Sequence, residues 1–143
     1  MKKVILLFTI ISLHLGFTFS QETSNGIVFQ QITYKEALSL SKSTGKPIFI
    51  DAYTVWCGPC KYMDKRVFSS PEVGKYFNEH FINLKIEMEQ NTEAPEVARR
   101  FRVMSYPTML FIDGDERLLN KQIGAVDGVV LIDQAKSVIK NIK

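Results

Sequence analysis

Cysteine is scarce in this 143-residue chain: Cys57 and Cys60 are its only two, accompanied by two histidines and one tryptophan. So small a set excludes a scaffold stapled by several disulfides. It also argues against a structural zinc site, which takes about four ligands. Beyond residue 20 the chain offers the two cysteines and His80 alone, and His80 reads as a helix end near the surface. Charge of either sign is not in excess. Of 18 Lys+Arg residues two are Lys2 and Lys3, so 18 less 2 leaves 16 against 15 Asp+Glu in the rest. That balance implies no nucleic-acid partner. Glu87, Glu89 and Glu93 lack the spacing of an acidic metal loop, so no metal is expected. Arg99, Arg100 and Arg102 read as a solvated helix side. Repeats, low-complexity tracts and linkers are also missing, which leaves a single domain.

Long apolar runs are confined to the N-terminus. After Lys2-Lys3, residues Val4 to Phe19 are apolar apart from Thr9, Ser12, His14, Gly16 and Thr18. This is the layout of a signal peptide over residues 1–20, with cleavage between Ser20 and Gln21, and it implies export. The run falls short of the ~20 residues of a spanning helix, though an uncleaved anchor is the alternative. No cysteine follows it to accept a lipid. The domain then comprises residues 21–143, enough to bury about two-thirds of its unfolded surface without help from a disulfide.

Within that domain Gln21 to Gly26 is polar, and Ile27, Phe29 and Ile32 suggest a short first strand. Thr33 and Glu36 form a capping box for a helix that Gly45 ends. Pro47 to Tyr53 is an unalternating apolar run broken by Asp51, as in a strand covered on both faces. A helix follows over Lys61 to Phe68, with Tyr62, Met63 and Val67 as core contacts. Ser70-Pro71 caps the next helix, which carries Val73, Tyr76 and Phe77. Phe81 to Met88 is a strand with Leu84, Ile86 and Met88 on one face, and a helix spans Pro95 to Phe101. Thr108 to Ile112 and Leu118 to Ile123 make a hairpin around Asp113-Gly114. Asp127 starts a last helix with Leu131, Ala135, Val138 and Ile142 on one stripe. Strands alternating with helices, closed by a hairpin and helix, predict an α/β fold with a central mixed sheet flanked by helices on both faces.

The two cysteines stand between strand and helix in Trp56-Cys57-Gly58-Pro59-Cys60-Lys61. Only a thiolate attacks a disulfide, and an unperturbed thiol near pKa 8.5 is mostly protonated at neutral pH. A sulfur just ahead of a helix meets free backbone N–H groups and the positive end of the helix dipole, which favour the anion. Pro59 fits the first turn, where its missing N–H has no helical partner. Cys60 lies one turn on, less exposed and in reach of Cys57. Such a pair suits attack by Cys57 and resolution by Cys60. A structural disulfide this short would gain little unfolded-state entropy, and two idle thiols would not need Gly58 and Pro59 between them.

The motif resembles the active site of thioredoxins, and Ser105-Tyr106-Pro107-Thr108 resembles their cis-proline loop. The resemblance covers about Lys46 to Gly124. Val67-Phe68-Ser69-Ser70-Pro71-Glu72-Val73 is closer to the exported branch, which includes the C-terminal domain of the membrane disulfide reductase DsbD. Lys65 stands where thioredoxins proper carry a kinking proline. The resemblance implies a thioredoxin fold and exchange of protein disulfides through a redox-active Cys57–Cys60 disulfide, with no other cofactor. It casts Asp51 as the buried acid that handles the Cys60 proton and Lys85 as that acid's partner. Trp56, Gly58, Pro59, Tyr106, cis-Pro107 and Gly124 become the substrate-binding surface. It further implies a periplasmic reductase, expected as a monomer, fed by a membrane-embedded thiol reductase. An exported oxidase or isomerase is one alternative; a peptide-binding module with idle cysteines is the other.

Overall fold

The computed structural model describes residues 26–142. The leader assigned to residues 1–20, and most of the polar stretch after it, lie outside the described residues. The elements run α1 (Tyr34–Thr44), β1 (Ile48–Tyr53), α2 (Gly58–Tyr62) continued by a π-helical segment (Met63–Phe68), α3 (Pro71–His80), β2 (Ile82–Glu87), α4 (Ala94–Phe101), β3 (Thr108–Ile112), β4 (Leu118–Ile123) and α5 (Gly128–Ile142). The four strands form one sheet in the order β2-β1-β3-β4. β1 is parallel to β2 and antiparallel to β3, and β3 is antiparallel to β4. This is the mixed, helix-flanked sheet that the alternation of patterns predicts.

Strand parity divides the core in two. Ile48, Ile50 and Ala52 of β1 join Leu84, Ile86, Leu110 and Ile112 on one face, where Ala37 of α1 and Val97 and Phe101 of α4 cover them. Phe49, Met109 and Phe111 point the other way, onto Met63, Val67, Phe77, Leu131 and Ala135 from the π-helical segment, α3 and α5. Phe49 is the hub of that second layer, with ring centroids 4.6 Å from Phe77 and 5.2 Å from Phe111. Asp51 lies two residues after Phe49, so its side chain issues onto the same face as α2 and its continuation.

Local signals hold where their chemistry is self-contained. Thr33 Oγ1 accepts from the Glu36 N–H while Glu36 accepts from the Thr33 N–H, and Gly45 closes α1 in the left-handed region at φ 73°. The helix start also draws on a distant group, since the Glu93 carboxylate accepts from the Tyr34 N–H at 2.7 Å.

Four expectations need correction. Residues 26–32 form no strand. They run as a strap beside β2, bonded through Gln30 N–H to the Asn83 carbonyl at 2.8 Å, Val28 N–H to Asn78 Oδ1 at 2.8 Å and Ile27 N–H to the Phe68 carbonyl at 2.7 Å. Gln30 meets β2 backbone to backbone, but the Val28 N–H goes to the Asn78 side chain and the Ile27 N–H to Phe68 outside the sheet, so no ladder forms. Tyr62 is exposed rather than core, its hydroxyl donating to Asp127 Oδ1 at 3.1 Å. Ser70 precedes α3 without a side-chain capping bond. Ile142 ends its stripe exposed, beyond the last turn that packs on the sheet.

At the opposite side of the sheet β4 pairs with β3 alone among the described residues, with an irregularity in register at Phe111/Ile112. Lys121 of β4 reaches across to donate to the carbonyls of Phe101 and Arg102 at 2.9 and 2.8 Å. It thereby satisfies oxygens that the end of α4 leaves free.

Candidate active site

Cys57 is the N-cap of α2, in extended conformation, and Pro59 occupies the first turn. Cys57 and Cys60 are joined as a disulfide with their Cα atoms 5.3 Å apart. Cys57 Sγ accepts from the Cys60 N–H at 3.2 Å, so a backbone donor of the first turn already points at the sulfur that would carry charge. Both cysteines are buried in this state, and the expected contrast in their exposure is absent. Gly58 and Pro59 between them are exposed. A Cβ on Gly58 would meet nothing within 4 Å, so this corner is open to an incoming chain.

A second loop comes alongside. The Tyr106–Pro107 peptide is cis. The Gly124 N–H, in the left-handed region at φ 83°, donates to the Pro107 carbonyl at 2.8 Å and ties the end of β4 to that loop. Trp56, 63% exposed, stands edge-on to Tyr106 with centroids 6.2 Å apart, and its Nε1 donates to Glu89 Oε1 at 3.0 Å. Trp56, Tyr106, Pro107 and Gly124 are thus drawn together from three separate stretches of chain.

A charged cluster joins β1, β2 and the π-helical segment. Asp51 is 1% exposed and pairs in register with Lys85 across the parallel β1–β2 ladder. Lys85 Nζ stands 3.4 Å from Asp51 Oδ2, near enough for an ion pair but not aligned for a hydrogen bond, and neither Asp51 oxygen accepts one. The same ammonium donates to Asp64 Oδ1, from the π-helical segment four residues beyond Cys60. Burial pushes the Asp51 carboxyl up to about 7; the Lys85 charge pulls it back and the Asp64 charge adds to the rise. A buried carboxyl poised near neutrality suits a proton acceptor.

Asp64 escaped the sequence reading. A charge inside a helical pattern reads as surface, yet its i+4 spacing from Cys60 placed it on the side of the helix that Cys60 uses. Glu89 was also missed. Its signal is the register that carries Met88 and Glu89 past the end of β2 toward the cysteine loop.

A mixed sheet between two helical layers, with a disulfide at the start of the helix after the central strand, defines the class of thioredoxin-fold proteins. The chain belongs to the thioredoxin-like family, whose model matches residues 29–114. It is 34% identical over 103 residues to the thiol:disulfide interchange protein DsbD of Escherichia coli K12, covering 69% of this chain and 18% of that protein. The chain therefore spans about a fifth of the length of the curated relatives it matches. A solution structure of a candidate disulphide-isomerase from Bacteroides thetaiotaomicron is 38% identical, with a TM-score of 0.71 over 82% of this chain and 96% of that one. The oxidised C-terminal domain of DsbD from Neisseria meningitidis shares the fold at 20% identity and a TM-score of 0.61, covering 77% and 97%.

Proposed function

We propose that this chain is an exported thiol–disulfide oxidoreductase that reduces disulfides in protein substrates. The observation that carries the reading is the Cys57–Cys60 disulfide at a helix start, with buried Asp51 linked through Lys85 to the helix that bears the pair. In the dithiol form, Cys57 thiolate attacks a substrate disulfide. A Cys57–substrate bond forms, the substrate S–S bond breaks and one substrate thiolate leaves. Cys60 then gives its proton to Asp51 and attacks Cys57 Sγ, which restores the intramolecular disulfide and releases the second substrate thiolate. Two electrons pass from the cysteine pair to the substrate. Trp56, Gly58, Pro59, Tyr106, Pro107 and Gly124 hold the substrate chain.

Direction follows from the resemblance: a Gly-Pro pair between the cysteines is the thioredoxin choice, and thioredoxin lies near −270 mV. A reductant outside the cytoplasm needs electrons from a donor, and a membrane-embedded thiol reductase fits that need. Periplasmic residence rests on the leader pattern and on the likeness to DsbD. Turbidity in an insulin–dithiothreitol assay tests the activity. Wild type is expected to exceed the uncatalysed rate and Cys57→Ser to match it; equal rates for the two would sink the exchange reading. Cys60→Ser is expected to retain substrates as mixed disulfides on Cys57. A measured potential above about −180 mV would assign oxidation or isomerisation instead.

A further inference from the structure

Lys85 Nζ is enclosed by aromatic rings as well as by carboxylates. Ring centroids of Tyr53, Phe29 and Phe68 lie 4.4, 5.4 and 5.9 Å from it, within the range of cation–π attraction. Tyr53 is on β1 and Phe68 ends the π-helical segment, but Phe29 comes from the strap. Phe29 also stands between two open clefts. One, of about 400 Å³, is lined by Phe29, Asp64, Phe68 and Lys85. The other, of about 780 Å³, is lined by Phe29, Tyr53, Lys85 and strap residues on the far side. Phe29 and Lys85 each border both clefts, so ring and ammonium stand together between them.

Resting on the exchange reading above, we propose that Phe29 is a positioning residue: its ring keeps water from meeting behind Lys85 and so holds Asp51 in the dry setting that its proton-accepting role needs. The charged groups that act on Asp51 are Lys85 from β2 and Asp64 from the π-helical segment, while Tyr53, on its own strand, packs against the Lys85 ammonium. Residues 26–32 carry no titratable side chain. The strap therefore acts on Asp51 by excluding solvent, not by charge. It is well placed to do so. The Asn78 amide donates to the Gly26 carbonyl at 3.0 Å. Gly74 of α3 lies so close that a Cβ there would sit 2.3 Å from the Gly26 backbone.

The test is the titration of Asp51 in the disulfide-bonded full chain, followed by its carboxyl carbon shift, beside the pH profile of insulin reduction. Phe29→Ala opens the strap side of Lys85, the neighbour of the carboxyl, to the water of both clefts, and the Asp51 midpoint is expected to fall by roughly one unit. The acid limb of the activity profile should move down with it. Phe29→Leu refills most of the volume and is expected to give a smaller fall in the same direction. An unchanged or raised midpoint in folded Phe29→Ala overturns the proposal. Should that variant fail to fold, Phe29→Leu decides on the same criterion. Because the disulfide form titrates without turnover, an inactive wild type would strike the exchange reading while the midpoint still reports on the seal.

Discussion

Lys85 faces Asp51 across one rung of the parallel β1–β2 ladder, its ammonium 3.4 Å from a carboxylate that is otherwise without hydrogen bonds. The pairing sets a charge beside a buried acid without fully compensating it. Several measurable properties depend on that imbalance.

Asp51's own contribution to stability should fall as pH rises from about 4 to about 7. The Asp51 carboxyl sits at about 7 in the fold against an ordinary 3.8, so the folded state holds a proton that the unfolded chain has already released between those values. Its penalty is absent below 3.8, grows through the interval and is complete above 7. Asp51→Asn removes the titration. Urea unfolding at pH 8 should show a gain over wild type of at most about 4 kcal/mol. The gain should shrink markedly at pH 4. Equal gains at the two pH values would contradict the assigned shift.

Lys85 and Asp64 should move the Asp51 midpoint in opposite directions. Lys85→Met removes the charge that pulls the carboxyl down, so the midpoint rises; Asp64→Asn removes one that pushes it up, so the midpoint falls. The acid limb of the pH profile for insulin reduction should follow each shift. Parallel movement in the two variants would rule out the charge arrangement.

Gly74→Ala should loosen the strap. The added methyl would lie 2.3 to 2.6 Å from Gly26 backbone atoms, and backbone cannot swing aside as a flexible side chain does. A loss of about 1–3 kcal/mol is expected. Proteolysis should quicken within residues 26–32. A variant as stable and as protease-resistant as wild type would refute the contact.

Glu93→Ala should weaken α1 from a distance. Its carboxylate accepts from the Tyr34 N–H at 2.7 Å and the Lys35 N–H at 3.4 Å, donors that the capping box leaves unfilled. Loss of about 1 kcal/mol is expected in thermal or chemical unfolding, as for other lost helix caps. No measurable change would mean that water replaces the carboxylate freely.

The sequence conveyed most of the sheet because its signals are short-ranged. The covered run around Phe49, the capping box at Thr33 and the turn at Asp113-Gly114 each state their conformation within a few residues. What it hid depends on partners far along the chain. Strap residues such as Phe29 look like a strand until Asn78 and Asn83 are seen to engage their backbone. Tyr62 looks apolar until Asp127 draws its hydroxyl outward. The widening of the helix at Met63–Phe68 has no punctuation, for Lys65 keeps the N–H that a proline would lack. The charged cluster was half apparent. Asp51 interrupts a buried strand and so announces itself, whereas Lys85 depended on register and Asp64 resembled any solvated helix residue.

The outer side of β4 bears on how copies of this protein treat one another. A bare strand invites a neighbour's backbone to continue the sheet, and repeated addition of that kind leads to insoluble ribbons. Here the irregular step at Phe111/Ile112 bends the rim, and Lys121 anchors it to the last turn of α4 with a charge that an arriving strand would have to desolvate. A strand arriving there would have to match an irregular register before it could extend the sheet.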